Sequence, residues 1–376
     1  MKRHYFDWAS TALTDDSSTA QSAPFGNPSS LHMEGRVAKA ALEHARARCA
    51  AVLGVHADTL YFTSGGTEAN AIALYAALLR YRPGTILFSA VEHPSVQENC
   101  VILERLGKRT APIRVDQNGV VTEECLKAAL EKHPDAHIAA IMAVQNEIGS
   151  INDIAKLSHC VKNRRAVHLH CDMVQALGKI PFSIAESDAD SASMSAHKIG
   201  GPRGIGLLYL RKPFSPLYRG GGQERGVRPG TENTAGALAF AERLERRYNK
   251  ETITTEYECA EKRIAHLIDF LKSTERCRLI PENRVPFDHR FSPFIVQVRF
   301  TGIPGEVSVR MLDDAGFAVS TGSACSSAKN ERPVLLAMGE DAASRTEGVR
   351  ISQGWSTTDH DIEALISAIK QILKRY

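Results

Sequence analysis

The feature that most constrains the fold is an alternation of helical and strand-like segments between residues 34 and 210. Helical periodicity first runs over about 34–52, where Val37, Ala41 and Ala45 share one stripe. Alternation of this kind predicts an α/β fold, with an open, mainly parallel sheet between layers of helices. Ligands bind such sheets at the carboxyl ends of the strands. The predicted strands are 60–62, 85–89, 137–144, 167–172, 192–196 and 206–210.

The pattern changes after the glycine-rich run at 219–225. A long charged helical stretch covers about 235–274, and three strand candidates follow at 294–300, 317–320 and 349–352 before a final helix at 359–374. This second pattern predicts a smaller α+β domain. We expect a large domain over 12–245, and a small domain made of 1–11 with 246–376.

Composition excludes several classes of protein. The 376 residues are 43% hydrophobic and 24% charged, and the net charge of +3 implies no strong field for nucleic acid or membranes. The amino terminus has no apolar secretory segment, and the longest apolar run, 71–79, is far short of the ~20 residues of a bilayer span. Eight cysteines show neither C-x-x-C nor zinc spacing. We expect a reduced, cytoplasmic protein without a metal site.

One lysine stands in a setting suited to covalent chemistry. Lys198 follows the predicted strand that ends in Ser195-Ala196-His197 and precedes a turn with Gly200, Gly201, Gly204 and Gly206. A poorly solvated lysine loses its proton more readily, and only the free amine attacks a carbonyl. Pyridoxal phosphate (PLP) requires such a lysine for its Schiff base. The alternative is an ordinary loop lysine beside a tight turn.

Three further features follow predicted strands. The run Ser64-Gly65-Gly66-Thr67 offers bare amides and a helix start to a phosphate, although simple helix capping would also explain it. Asp172 ends a strand and could keep a pyridine nitrogen protonated, with Gln175 close behind, but it could equally be a turn residue. His93 follows another strand, where it could stack on a ring or be structural.

Many ordered motifs extend these features over the whole chain. They are Tyr5-Phe6-Asp7, Gly26-Asn27-Pro28-Ser29-Ser30-x-His32, Phe62 to Glu68, Glu92-His93-Pro94, Asn146-Glu147-Ile148-Gly149, Asp172-x-x-Gln175, Ser195-x-His197-Lys198, Arg228-Pro-Gly-Thr231-Glu-Asn and Gly322-Ser-Ala-Cys325. With these motifs the chain resembles the cysteine desulfurases, which are class V aminotransferase-like PLP enzymes of fold type I. The resemblance implies a large domain with a mainly parallel seven-stranded sheet.

The resemblance also implies residue roles. Lys198 would hold PLP and later move protons at the substrate's α-carbon. Asn146 and Arg350 would bind the substrate carboxylate, which the guanidinium fork of arginine suits. Asp172 would pair with the pyridine nitrogen, Gln175 with the phenolic oxygen, and His93 would stack on the ring. The implied phosphate ligands are Gly66, Thr67, Ser195, His197 and the partner subunit's Thr231. The last role implies a homodimer.

Cys325 decides the expected reaction. It lies in a run of small and polar residues, 321–330, after an apolar strand, and such a loop suits a thiol that attacks one site and delivers to another. Nearby Lys329 could favour the thiolate. The resemblance implies that L-cysteine becomes L-alanine while its sulfur is left on Cys325 as a persulfide.

Alternatives and departures stay open at this point. A selenocysteine lyase or a cysteine/cystine lyase would share the cofactor site, and a non-catalytic partner protein could keep the fold. The segment 17–25 is shorter than is usual, Met173 and Gln145 stand where alanine and asparagine are common, and Ala12 replaces a threonine. The chain ends directly after its last helix, from which we expect weak docking to a housekeeping iron–sulfur scaffold. The sulfur acceptor could be such a scaffold or a tRNA-thiolation enzyme.

Overall fold

The computed structural model describes residues 3–14, 23–79, 84–162, 167–214, 218–322 and 332–376. Strands and helices alternate along most of these ranges. The strands are β1 His4–Tyr5, β2 Leu60–Thr63, β3 Thr85–Ser89, β4 Arg109–Ile113, β5 Ile138–Ala140, β6 His168–Asp172, β7 Ser191–Ser195, β8 Gly206–Leu210, β9 Cys277–Ile280, β10 Ile295–Phe300, β11 Phe317–Ala318 and β12 Gly348–Ser352.

The α-helices begin with a long amphipathic one that follows the amino-terminal segment. They are α1 Met33–Leu53, α2 Gly66–Tyr75, α3 Pro94–Arg105, α4 Glu123–Lys132, α5 Ile154–Lys162, α6 Ile184–Ser187, α7 Thr234–Arg247, α8 Lys250–Ser273, α9 Gly305–Asp314, α10 Pro333–Ala337, α11 Ala342–Glu347 and α12 Asp359–Arg375. Short 3₁₀ turns occupy Ala57–Thr59, Ala76–Leu79, Ala196–Ile199 and Glu224–Gly226.

In the described part of the chain, the central sheet has seven strands in the order β2-β8-β7-β6-β5-β3-β4. Adjacent strands of this sheet are parallel except for β8, which runs antiparallel to both β7 and β2. The ten residues 196–205 between β7 and β8 are fewer than the dozen or so that a parallel crossover needs. Because β2, β6 and β7 point the same way, their carboxyl ends meet at one edge. The mainly parallel sheet with flanking helices is confirmed.

A second, three-stranded antiparallel sheet has the order β12-β10-β9 in the described ranges, and β1 pairs with β11 in parallel. The two sheets have separate apolar cores. The larger core draws on residues between 42 and 244, and the smaller one on Phe6 together with residues between 264 and 372. This division of the cores agrees with two domains, whose boundaries at 11/12 and 245/246 stay a prediction.

Some elements differ from the sequence-based expectation. The helical stretch expected over 235–274 is two helices, because Tyr248 leaves the helical region (φ −109°, ψ 53°) and Asn249 caps α8 by accepting a hydrogen bond from Thr252 N at 2.8 Å. The strand expected over 137–144 shortens to β5. Helix α2 ends at Tyr75 and tightens into the 3₁₀ turn Ala76–Leu79.

A buried ion pair fixes the 3₁₀ turn Glu224–Gly226, at the end of the glycine-rich run 219–225. Arg46 of α1 binds Glu224 through two 2.7 Å hydrogen bonds, and Glu224 also accepts from the Phe62 backbone N–H at 2.8 Å. Both side chains are almost fully buried. Glu224 and Arg225 adopt left-handed backbone angles (φ 46° and 52°), which non-glycine residues keep only where surrounding contacts enforce them. The pair therefore anchors the segment that leads to Thr231.

We expect Glu224→Ala to lower the free energy of unfolding by about 3 kcal/mol, because it leaves the buried Arg46 guanidinium without its main counter-charge. Denaturant unfolding would measure this loss. Glu245→Ala is the matched control, since Arg48 also lies on α1 but its pair with Glu245 of α7 is partly exposed and should contribute less than about 1 kcal/mol. Equal losses in the two variants would contradict a special role for the buried pair.

Candidate active site

A cavity of about 460 Å³ lies at the carboxyl edge of the central sheet, beside the smaller sheet. It gathers residues from the ends of β2, β6 and β7 with residues from the amino-terminal segment and β12. Most of the residues expected from the sequence line it: Gly66, Thr67, His93, Asn146, Asp172, Gln175, Ser195, His197, Lys198 and Arg350.

Two expected residues are not among the lining. Thr231 is exposed and does not border the cavity of its own chain. Cys325 lies in the segment 323–331, outside the described residues.

The Lys198 amine projects from the short turn between β7 and β8. It donates hydrogen bonds to the carbonyl oxygens of Ala9 and Ser10, at 2.5 and 2.8 Å. Burial, together with the like charge of Arg350, lowers the pKa of this amine to about 8. Gly200 ends the turn at φ 77°, and a Cβ there would meet the Leu13 carbonyl at 2.9 Å. The lysine is therefore a partly deprotonated, positioned nucleophile.

Asp172 ends β6 with both carboxylate oxygens bonded. Its Oδ1 accepts from the Val174 N–H at 2.9 Å and its Oδ2 from Asn70 Nδ2 at 2.8 Å. Gln175, one turn on, donates through Nε2 to the Ala9 carbonyl at 2.8 Å and accepts from the buried Lys179 amine at 2.7 Å. An amide nitrogen carries two hydrogens, so Gln175 keeps a second donor for a ligand.

His93 caps α3 and lines the cavity. Its Nδ1 accepts from the Ser95 backbone N–H at 3.1 Å. Burial lowers the pKa of the ring, an effect that the nearby Asp172 charge opposes. A neutral imidazole whose Nδ1 accepts must carry its proton on Nε2. This tautomer leaves an N–H donor on the far side of the ring.

Glu92, the neighbour of His93, is a second buried acid at the cavity wall. Its Oε1 accepts from the Met142 N–H at 2.6 Å, while Oε2 has no hydrogen-bond partner among the described residues. Burial raises the pKa of Glu92 well above its usual value, and the Asp172 charge raises it further. The neutral acid form of Glu92 is therefore favoured.

The start of α2 forms a bare backbone cradle. Gly65 caps the helix without any side-chain hydrogen bond, so the first N–H groups of α2 stay available. A Cβ at Gly66 would lie 2.6 Å from Val174, so only glycine fits. Ser195 and His197 border the same cavity, and burial lowers the pKa of His197 to about 4. The positive end of a ten-residue helix beside a hydroxyl and an imidazole suits a phosphate group.

Arg350 reaches the cavity from β12. One terminal nitrogen donates to Asp7 Oδ1 at 2.7 Å and to Ser10 Oγ at 2.6 Å, and the other donates to the Asn146 carbonyl at 2.9 Å. Its Nε and the Asn146 side-chain oxygen have no partner among the described residues. A guanidinium beside an amide can bind a carboxylate.

The cavity also contains residues that sequence reasoning missed. Asn70, Glu92 and Ser95 line it, and Ala9 and Ser10 supply carbonyl oxygens to Lys198. Glu92 belongs to the motif Glu92-His93-Pro94, and Asn70 lies two residues after the motif that ends at Glu68. The contribution of Ala9 and Ser10 to the amine comes from their backbone, so no side-chain pattern could have indicated it.

No group of three or more His, Cys, Asp or Glu side chains among the described residues could hold a metal ion. No described helix has the length and apolar character needed to cross a membrane. The seven described cysteines are free thiols.

Residues 4–365 match the sequence profile of the family described as Aminotransferase class-V. The chain belongs to the class V aminotransferase family. Within it, the chain is 39% identical to the NifS/IcsS protein homolog of Lactobacillus delbrueckii subsp. bulgaricus, over 96% of this chain and 97% of that protein. It is 36% identical to the cysteine desulfurase IscS of Dictyoglomus turgidum, over 100% and 96%. A solved NifS-like protein superimposes with a TM-score of 0.89 at 33% identity, with 100% of both chains covered.

The pKa of Lys198 predicts how the rate at which an aldehyde such as PLP attaches to this lysine depends on pH. The free amine increases as pH rises through about 8, so the rate of attachment should climb about tenfold per pH unit below that value and level off above it. Stopped-flow absorbance after mixing apoprotein with PLP would measure the rate. A rate that still climbs tenfold per unit near pH 10 would indicate a solvated lysine, and Lys198→Ala should show no covalent attachment.

Proposed function

We propose that this protein is a PLP-dependent cysteine desulfurase, which converts L-cysteine to L-alanine and transfers the sulfur to Cys325. The observation that carries the proposal is the convergence of Lys198, Asp172 and Arg350 in one cavity beside an uncapped helix start. Relatives named cysteine desulfurase, aligned over the whole chain, support the same activity. The Gly-Ser-Ala-Cys325 motif distinguishes it from a simple aminotransferase.

The residues present fit PLP. Lys198 would bind the aldehyde carbon, Asp172 the pyridine nitrogen, and the free Gln175 donor the phenolic oxygen. The start of α2, with Ser195 and His197, would bind the phosphate. When bound there, PLP supplies an electron sink for the electron pair of the substrate's α-carbon.

The chain's own residues would then orient the substrate and move its protons. Arg350 and Asn146 would bind the carboxylate of L-cysteine, which fixes the α-carbon near Lys198. The amine of Lys198, with a pKa of about 8, can take and return the α-proton near neutral pH. His93, stacked on the ring, would offer its Nε2–H to groups that gain negative charge.

Sulfur transfer requires a second thiol. The thiolate of Cys325 would attack the substrate sulfur, and the Cβ–S bond would break with its electron pair left on carbon. That carbon then gains a proton and becomes the methyl group of L-alanine, while Cys325 keeps the sulfur as a persulfide. Delivery to an acceptor protein, either an iron–sulfur scaffold or a tRNA-thiolation enzyme, would regenerate the thiol. We place these steps in the cytoplasm, without direct binding of nucleic acid.

Cys325→Ser should bind PLP and L-cysteine normally but release almost no sulfide, since a hydroxyl accepts sulfur poorly. Sulfide and alanine assays on the purified variant would test this. Cys259→Ser is the matched control, because Cys259 is an exposed thiol that should not affect turnover. If Cys325→Ser still releases substantial sulfide, a cysteine lyase that expels sulfur without a protein thiol becomes the better function.

A homodimer would complete the phosphate site, since Thr231 is exposed and is not among the residues that line the cavity of its own chain. Large apolar side chains near the amino terminus are also exposed, among them Phe25 at 92% and Leu31 at 90%. Exposed apolar residues of this size often mark an interface. Both observations support a contact between two copies.

Mixed dimers test the cross-subunit role of Thr231. A Lys198→Ala chain paired with a Thr231→Ala chain should regain one complete site and up to half of the wild-type activity. A chain with both substitutions, paired with a wild-type chain, should stay poorly active. The wild-type chain keeps Lys198, but its site would receive the Thr231→Ala segment of the partner chain. Equal activity in the two mixed dimers, measured on tagged and purified heterodimers, would contradict the cross-subunit role.

A further inference from the structure

The strand β6 has one polar and one apolar face. Leu169 and Cys171 point into the main apolar core, so the alternating residues His168, His170 and Asp172 share the opposite face. Helix α2 packs over this face and contributes Asn70. No step of the proposed reaction uses the two histidines, although His170 is fully buried.

The hydrogen bonds of Asn70 determine how His170 is protonated. Asn70 Nδ2 lies 2.8 Å from Asp172 Oδ2 and 2.8 Å from Ser95 Oγ, so both amide hydrogens point to these groups. The amide oxygen therefore faces His170 Nε2, at 2.8 Å. Because a carbonyl oxygen can only accept, His170 must carry its proton on Nε2.

The hydrogen bonds continue from His170 to Ser191 of β7 and His168 of β6. Burial lowers the pKa of His170 to about 3, so the ring is neutral and its Nδ1 must accept. The donor is the Ser191 hydroxyl at 2.8 Å, on the residue of β7 that pairs with His170. Ser191 has one proton, so its oxygen accepts from His168 Nε2 at 2.7 Å. Each donor thus points toward Asp172.

We propose that His168, Ser191, His170 and Asn70 form a directional hydrogen-bond chain that orients the Asp172 carboxylate toward the pyridine nitrogen of the cofactor. His170 is the positioning residue of this chain. Without its N–H, the Asn70 amide could turn over and present oxygen instead of nitrogen to Asp172. The inference rests on the proposed function only in that PLP is the group Asp172 faces.

Two substitutions at His170 separate hydrogen bonding from packing. Glutamine can donate to Asn70 Oδ1 and accept from Ser191, so His170→Gln should preserve the chain. Methionine fills similar space but donates nothing, so His170→Met should break it. The readout is the ¹⁵N chemical shift of PLP labelled at its ring nitrogen and bound to each purified protein.

We expect wild type and His170→Gln to show a protonated ring nitrogen, and His170→Met to shift toward the unprotonated form. The kcat for L-cysteine should fall about 10- to 100-fold in His170→Met, as expected if the Asn70 hydrogen bond to the Asp172 carboxylate is lost. KM should change less than about twofold, because the carboxylate-binding residues are untouched. Leu169→Met, on the apolar face of the same strand, should match wild type in both measurements.

A wild-type ¹⁵N shift with kcat within twofold in His170→Met would overturn the proposal, as would equal losses in His170→Gln and His170→Met. If His170→Met does not fold, Ser191→Ala provides the test, since it frees the His170 tautomer and should shift the nitrogen signal in the same direction by a smaller amount. An unchanged signal there would also overturn it. Failure of the proposed function is distinct: wild type itself would then bind no PLP or release no sulfide from L-cysteine.

Discussion

The buried guanidinium of Arg350 is the interaction on which the cavity depends. It binds Asp7 and Ser10 of the amino-terminal segment and the Asn146 carbonyl at the central sheet, while its own backbone belongs to the smaller sheet. A charge that is 3% exposed is stable only with a close counter-charge, which Asp7 supplies. The residue proposed to bind the substrate carboxylate therefore also joins the two sheets around the cavity.

The same charge adjusts the chemistry of its neighbours. Burial and Arg350 together favour the neutral amine of Lys198, while burial and Asp172 favour the neutral acid of Glu92. A cavity with several buried ionisable groups can avoid large desolvation costs when some of them are uncharged. A readily deprotonated Lys198 beside a Glu92 that favours its neutral form follows from this arrangement.

The alternation of helix and strand periodicities predicted the central sheet, and residues that follow parallel strands, such as Asp172 and Lys198, converge at one edge of it. Other cavity residues, such as Arg350, were implied by the motifs shared with the cysteine desulfurases and not by periodicity. Backbone groups such as the Ala9 carbonyl carry no sequence signal, and the break between α7 and α8 depends on a single capping residue, Asn249. The role of His170 needed the packing of α2 on β6, which strand periodicity alone does not give.

The polar layer beneath α2 explains why polar and apolar residues alternate along β6 and β7. Ser191, Ser193 and Ser195 alternate on β7 just as the histidines alternate on β6, while Ala192 and Met194 face the apolar core. Burying such a layer is costly unless its groups find hydrogen-bond partners. The partners then constrain one another, so the direction of each bond is determined by the next. The bonded groups of this face, from His168 and Ser191 through His170 and Asn70, thus give Asp172 a single orientation, which an apolar face could not supply.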